Sequence, residues 1–179
     1  MVTRDKRIVL GVTGSIAAYK SADILRTLIE KGLKVSVVMT KEAEHFITPL
    51  TLEALSGEKV YTSLLDEPWK MPHIFLAREA DLLLIVPATA NIIAKLANGL
   101  ADDLLTCIAM ATKAKIFIAP AMNTEMWNNS FLQENVAKLK KAGVKIIPPA
   151  KGNLACGEYG DGHIADEESI LKEVLRFLK

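Results

Sequence analysis

Several things are scarce in this 179-residue chain, and each scarcity removes a class of function. Cysteine occurs only twice, at Cys107 and Cys156, which rules out a disulfide framework and fits a reducing, cytoplasmic setting. Neither sign of charge dominates: 22 Lys and Arg stand against 21 Asp and Glu, interspersed along the chain, for a net charge of +1. No basic stripe with interleaved aromatics exists, and aromatic residues make up only 6% of the chain, so there is no nucleic-acid footprint. No apolar stretch approaches the ~18 residues that a membrane helix needs. The start of the chain, Arg4-Asp5-Lys6-Arg7 before a short apolar run, does not read as a cleavable leader. No internal repeat and no compositional break appear, so one domain over residues 1–179 is expected.

What is present is apolar residues, at 50% of the chain, enough for a sizeable core. Mean hydropathy is above zero, high for a monomer of this size, and favours a buried interface between copies. The apolar runs are short and alternate with helical patterns. Arg7 to Gly14 predicts a first, central, parallel strand covered on both faces. Gly14-Ser15 then opens a helix over Ile16–Lys31, with Lys20 one turn in and taken as solvated. Lys34 to Thr40 predicts a second strand whose polar end lies beside the first turn. His45 and Phe46 fall in a short helical piece, Pro49 to Gly57 reads as one short helix, and 59–71 as irregular. Ala80 to Val86 predicts a buried strand stopped by Pro87, and a helix follows over Ile92–Asn98. Asp102 or Asp103 caps the next helix, which runs to Lys113 and carries Cys107 as a small buried hydrophobe. Lys115 to Ala119 predicts a strand ended by Pro120, Asn128 to Ala142 a helix, Val144 to Ile147 a last strand, and Glu167 to Lys179 a closing helix. Strands alternating with helices predict an α/β three-layer sandwich with a parallel, flavodoxin- or Rossmann-like sheet.

The most informative stretch is Pro120-Ala-Met-Asn-Thr-Glu-Met-Trp127. It follows a buried strand, and the carboxyl ends of such strands face the crevice where open α/β sheets bind ligands. Asn123 can donate and accept hydrogen bonds there, walled by Met122, Met126 and Trp127; it can equally cap the next helix. Gly14-Ser15 joins a strand to a helix N-terminus, where free N–H groups and a hydroxyl favour a phosphate. It is neither Gly-x-Gly-x-x-Gly nor a P-loop. Thr40 is a candidate for the same region. Pro87-Ala88-Thr89-Ala90-Asn91 is a polar turn whose small residues let backbone amides approach a ligand. His73 begins a helix after Pro72, where partial positive charge favours a neutral imidazole that can accept a proton; a capping or surface role is the alternative. The stretch Lys151–Gly162 holds four glycines and Cys156, and reads as a mobile, exposed flap.

Residues 120–127 match at every fixed position the Pro-x-Met-Asn-x-x-Met-Trp motif that the homo-oligomeric, flavin-containing cysteine decarboxylases carry, so the chain resembles that family. The family includes the phosphopantothenoylcysteine decarboxylases and the peptidyl-cysteine decarboxylases. Residues 87–92 resemble its Pro-x-Ser-Ala-Asn-Thr flavin motif, with Thr89 for Ser and Ile92 for Thr, the second change losing a hydroxyl. Residues 153–156 resemble its substrate-recognition clamp, and His73 lies in a segment like that of its active-site histidine. The resemblance implies FMN as cofactor, held by Gly14, Ser15, Thr40, Ala88, Thr89, Ala90, Asn91 and Ala121. It implies Asn123, Met126, Asn153 and Ala155 as substrate contacts, His73, Asn123 and Cys156 as catalytic residues, and no metal.

The resemblance further implies decarboxylation of 4′-phosphopantothenoyl-cysteine to 4′-phosphopantetheine in coenzyme A biosynthesis. An N-acyl cysteine carboxylate has no electron sink. Oxidising CH₂–SH to a thioaldehyde supplies one, loss of carbon dioxide leaves an enethiol, and reduction with a proton from Cys156 completes the cycle. Peptidyl-cysteine decarboxylases stop at the enethiol and need no such donor, so Cys156 favours the coenzyme A pathway. The alternatives are an oxidative peptidyl-cysteine decarboxylase and a non-catalytic flavin-binding regulatory subunit. Expected partners are further copies of the chain, as a trimer or multiple of trimers in which His73 serves a neighbour's flavin, and a fused or separate phosphopantothenoylcysteine synthetase.

Overall fold

The computed structural model describes residues 6–66 and 68–179; Arg4 and Asp5 of the charged start lie outside the described residues. Five parallel strands form the main sheet: β1 Arg7–Val12, β2 Lys34–Met39, β3 Leu82–Ala88, β4 Lys115–Pro120 and β5 Lys145–Ile146. Their order is β2-β1-β3-β4-β5, the flavodoxin order. The middle position therefore belongs to β3, whose seven residues are all buried, and β1 lies second from the edge rather than at the centre.

Side chains alternate across the sheet as a period of two demands. Ile8, Leu10, Val12, Leu82, Leu84 and Val86 point to one face, under helices α1 Lys20–Glu30, α2 Pro49–Ser56 and α8 Glu167–Leu178. Val9, Leu83, Ile85 and Ile118 point to the other, under α3 Pro72–Glu79, α4 Ala90–Asn98, α5 Leu104–Ala111 and α7 Ser130–Lys141. Each fully buried aliphatic side chain is worth roughly 1.5–3 kcal/mol against exposure. Gly11 is required by this packing, because a Cβ there would strike Leu105 of α5.

The boundaries depart from the sequence expectation where local chemistry intervenes. Pro87 does not stop β3; the strand runs through it to Ala88, with a register shift between Ile85 and Ala88 where the missing N–H interrupts the ladder. The helix expected from Ile16 begins as a 3-10 turn, Ile16–Tyr19, capped by Ser15. The helix expected over Asn128–Ala142 is α7, which starts at Ser130 with Asn129 as its cap, and a separate short helix, α6 Thr124–Asn128, precedes it. The helix carrying Cys107 ends at Ala111, and Cys107 is only half-buried, its thiol donating to the Ala101 carbonyl at 3.3 Å. Burial pushes that thiol's pKa up, with help from Asp103 and Asp102. The segment expected to be a mobile flap is an antiparallel hairpin, β6 Ala150–Asn153 and β7 Tyr159–His163. Among the described residues no helix is long and apolar enough to cross a membrane.

Candidate active site

The strand order reverses between β1 and β3, and the turns after β1, β2, β3 and β4 meet outside that reversal. Two buried hydroxyls hold them in place. Thr13, 1% exposed, donates from its Oγ1 to the Pro87 carbonyl at 2.7 Å and accepts from the Thr89 N–H at 3.2 Å. Ser21 of α1 donates to the Val86 carbonyl at 2.7 Å. These bonds occupy backbone groups that the interrupted end of β3 leaves without ladder partners. Thr13 thus ties the Gly14-Ser15 turn to the Pro87–Asn91 turn.

Between those turns is a pocket of about 110 Å³ lined by Thr13, Gly14, Thr40, Glu42, Thr89, Asn91, Ile92 and Asp103. Five of the expected residues meet there or at its edge: Gly14, Thr40, Thr89 and Asn91 line it, and Ala90 begins the helix behind it. Thr40 is 9% exposed and its Oγ1 has no hydrogen-bond partner among the described residues. A buried polar atom left so costs about 1–3 kcal/mol, which points to a ligand atom that satisfies it. The Thr89 hydroxyl caps α4 by accepting from the Ile92 N–H at 3.3 Å. That cap needs only the backbone of Ile92, whose side chain is 2% exposed, so the hydroxyl missing at this position is not part of the cap. Asp103 shares a reciprocal cap with Thr106 and an ion pair with Lys95 at 3.0 Å. Lys95 also pairs with Asp102 at 2.8 Å, which holds the Asp102 carboxyl below its usual range and raises the ammonium's pKa.

Ser15 faces the other side of the same turn, into a larger cleft of about 450 Å³. Its walls are the 3-10 turn with Lys20, the Ala121–Asn123 segment, and the hairpin residues Asn153–Cys156 and Gly162–Ile164. Ala121 is buried and donates to the Ala88 carbonyl, which joins the β3 and β4 ends. Lys20 is therefore a cleft residue, not merely a solvated one, and Leu154 and Tyr19 join it there unforeseen.

Asn123 serves both roles that its sequence position allowed. Its Oδ1 accepts the Glu125 N–H at 2.8 Å and caps α6. With the oxygen so committed, the amide nitrogen is turned outward, donating to Glu158 Oε2 at 3.0 Å and reaching Cys156 Sγ at 3.5 Å. The Cys156 thiol in turn lies 3.6 Å from the same carboxylate oxygen. The hairpin holds this geometry because it is fastened to the motif: Met122 N–H donates to Gly162 O at 3.0 Å, and Thr124 Oγ1 to Asp161 O at 2.8 Å. Gly162, at φ +113°, lies so close to Met122 that a Cβ would overlap the Met122 carbonyl oxygen.

Three expected residues stand apart. Met126 is 49% exposed and outside the cleft, and Trp127 packs on the helical core instead of walling it, because α6 turns them away from the sheet end. His73 lines neither pocket; it sits in the first turn of α3 with its Nδ1 buried and without a partner among the described residues. Sequence reasoning missed Thr13, Glu42, Asp103 and Glu158. A polar Thr13 closing an apolar strand was a usable signal; Glu158 had none beyond its nearness to Cys156.

The flavoprotein family profile matches residues 2–179. The chain is 50% identical over 168 residues to a coenzyme A biosynthesis bifunctional protein CoaBC of Vibrio vulnificus (strain YJ016), covering 93% of this chain and 42% of that protein. It therefore spans less than half the length of this bifunctional relative. It is 47% identical over 173 residues to a probable phosphopantothenoylcysteine decarboxylase of Streptococcus mutans, covering 94% of this chain and 97% of the other. Among solved structures it superposes with a TM-score of 0.88 and 38% identity on a Cys-to-Ser mutant of a PPC decarboxylase complexed with pantothenoylaminoethenethiol, over 98% of this chain and 99% of that one.

Proposed function

We propose a function from one premise: the chain belongs to the flavoprotein family, in company with the phosphopantothenoylcysteine decarboxylases it matches. It is an enzyme that decarboxylates 4′-phosphopantothenoyl-cysteine to 4′-phosphopantetheine, with FMN as cofactor, in the route to coenzyme A. The observation that carries this reading is the meeting of the Asn123 amide and the Cys156 thiol in one cleft, next to the Gly14-Ser15 turn.

The residues present fit a phosphorylated flavin. The Thr40 hydroxyl, the capped N-terminus of α4 and Gly14 face the smaller pocket, and Ser15 and Lys20 bring a hydroxyl and a cation to the adjoining cleft. Gly14, Ser15, Thr40, Ala88, Thr89, Ala90, Asn91 and Ala121 would hold it. When bound, the flavin supplies the two-electron oxidation of the cysteinyl CH₂–SH and the reduction that follows. The substrate's carboxylate takes the outward N–H of Asn123, which cannot turn away because its oxygen caps α6. Asn153 and Ala155 flank the substrate on the hairpin, and the fastened hairpin covers the cleft against water while the thioaldehyde exists. Carbon dioxide leaves once the C=S group can accept the electrons. Cys156 then protonates the enethiol carbon from its Sγ as reduction completes the aminothiol.

His73 is assigned to accept the substrate's thiol proton during oxidation. Because it lines neither of the two pockets described above, the assignment calls for a second copy to bring it to the cleft. Exposed Phe75, Trp69, Met110, Ile16 and Met126 supply apolar surface for such an assembly, taken as a trimer or multiple of trimers, in which Met126 would reach the neighbour's substrate. The chain's match to part of a bifunctional relative supports a synthetase, fused or separate, as the source of the substrate.

Mass-resolved product analysis of the flavin-loaded protein with 4′-phosphopantothenoyl-cysteine tests the reading, beside a Cys156→Ser variant. The parent releases 4′-phosphopantetheine and the variant accumulates a species lighter by two hydrogens. A parent that ignores this substrate and oxidises a C-terminal cysteine peptide to the enethiol would transfer the reading to peptide modification.

A further inference from the structure

The Asn123 amide cannot be turned around. Its Oδ1 is fixed at 2.8 Å from the Glu125 N–H, so a ligand that reaches this amide meets its N–H donors. Such a donor selects an anionic acceptor, and the acceptor it already holds is a carboxylate: Glu158 Oε2, at 3.0 Å. Glu158 is also the acceptor nearest the Cys156 thiol, at 3.6 Å. The turn between β6 and β7 places it there, with Leu154 N–H donating to Glu158 O at 2.7 Å and Gly157 in the left-handed region at φ +87°. Glu158 is itself exposed, and these contacts place its carboxylate beside two residues that line the cleft, Asn123 and Cys156.

The geometry points to Glu158 as a specificity-determining residue that stands in for the substrate's carboxylate. This inference rests on the reading of Asn123 given under the proposed function. One Asn123 donor serves two carboxylates in turn. The arriving substrate displaces Glu158, and two carboxylates on one amide repel, so Glu158 swings to solvent, where its charge is fully hydrated. Loss of carbon dioxide removes the substrate's acceptor and leaves the amide unpaired. Glu158 returns to it, and the decarboxylated product loses its hold on Asn123. The residue thereby sets the cleft's preference between molecules that differ only in that carboxylate: it taxes the binding of the acid and leaves the product untaxed.

The test is calorimetric titration of the flavin-loaded parent, Glu158→Gln and Glu158→Ala. The ligands are 4′-phosphopantothenoyl-serine, which keeps the carboxylate but has no thiol to oxidise, and 4′-phosphopantothenoyl-ethanolamine, which has lost it. A second pair, a C-terminal-serine peptide as free acid and as amide, carries the same contrast without the pantothenoyl group. Removing the competing charge is expected to tighten the acid about three- to tenfold, the equivalent of one exposed charge-assisted hydrogen bond, and to change the decarboxylated partner by less than about twofold. Equal affinities in parent and variants, or weaker binding of the acid in the variants, overturns the inference. If the peptide pair shows the contrast and the pantothenoyl pair does not bind, the substrate assignment falls and the role of Glu158 stands. If neither acid binds the parent, Asn123 is no carboxylate site and the inference falls with it.

Discussion

Replacing Thr13 with valine keeps the volume of a side chain that is 1% exposed and deletes only its hydroxyl. Two bonds go with it, one to the Pro87 carbonyl at 2.7 Å and one from the Thr89 N–H at 3.2 Å. The carbonyl belongs to a buried residue, so losing the hydroxyl exposes it to a desolvation cost of about 1–3 kcal/mol. Thr89 is only partly shielded and finds water more easily. The expected loss is therefore about 2 kcal/mol, or roughly 4–8 °C in the melting temperature of a chain of this size. The larger consequence is for the ligand site, because these bonds fix the spacing of two turns that share one pocket. Thr13→Val should release its flavin at concentrations where the parent retains it, seen as lost absorbance after gel filtration. Thr13→Ser, which restores the hydroxyl, should regain most of that retention. Scanning calorimetry of the flavin-free and flavin-loaded forms separates the two effects. If Thr13→Val melts within a degree of the parent and holds flavin as tightly, while Thr13→Ser falls further, the hydroxyl does not brace these turns.

Ser21→Ala removes the other brace, to the Val86 carbonyl, and should cost about 1–2 kcal/mol by chemical denaturation. Gly162→Ala should unfasten the hairpin from Met122, so limited proteolysis cuts residues 150–163 faster while flavin stays bound. Asp166 caps α8, and its carboxylate accepts from both the Ser169 N–H and the Ser169 hydroxyl, which holds it below the usual range. Its folded pKa is thus depressed, so its contribution is full above about pH 3.9 and is lost as pH falls through the lower folded value. Asp166→Ala should cost about 0.5–1 kcal/mol at pH 7, a difference that shrinks in unfolding curves measured below pH 3. His73→Asn and Asn123→Ala subunits, each inactive alone, should recover turnover when refolded together if His73 serves a neighbour's cleft, and stay silent if it does not.

The sheet was legible because its strands are covered on both faces and so read as unbroken apolar runs, as in Leu82–Val86. The same property hid where they end, since an apolar proline inside a run looks like a stop. Pro87 proved otherwise because Thr13 and Ser21, distant in sequence, supply the bonds that its strand lacks. The hairpin was misread for a related reason: its glycines suggest freedom, yet Gly162 is needed for close contact with Met122 and Gly160 packs on Thr124, contacts that no local pattern records. Candidate site residues stood out where chemistry interrupts an apolar context, as at Thr40 and Asn123, and passed unnoticed where a charged residue sits in an already polar turn, as at Glu158. The distinction is physical. A polar group in an apolar run bears a desolvation cost that demands a partner, and that demand shows in one dimension; a carboxylate on an exposed turn bears none, and its purpose emerges only when folding carries it to the amide of Asn123. His73 combines the two cases. Its Nδ1 is buried without a hydrogen-bond partner among the described residues, as the Thr40 hydroxyl is, yet it lines neither of the pockets described above, so the helix start that marked it in the sequence does not lead to the cleft.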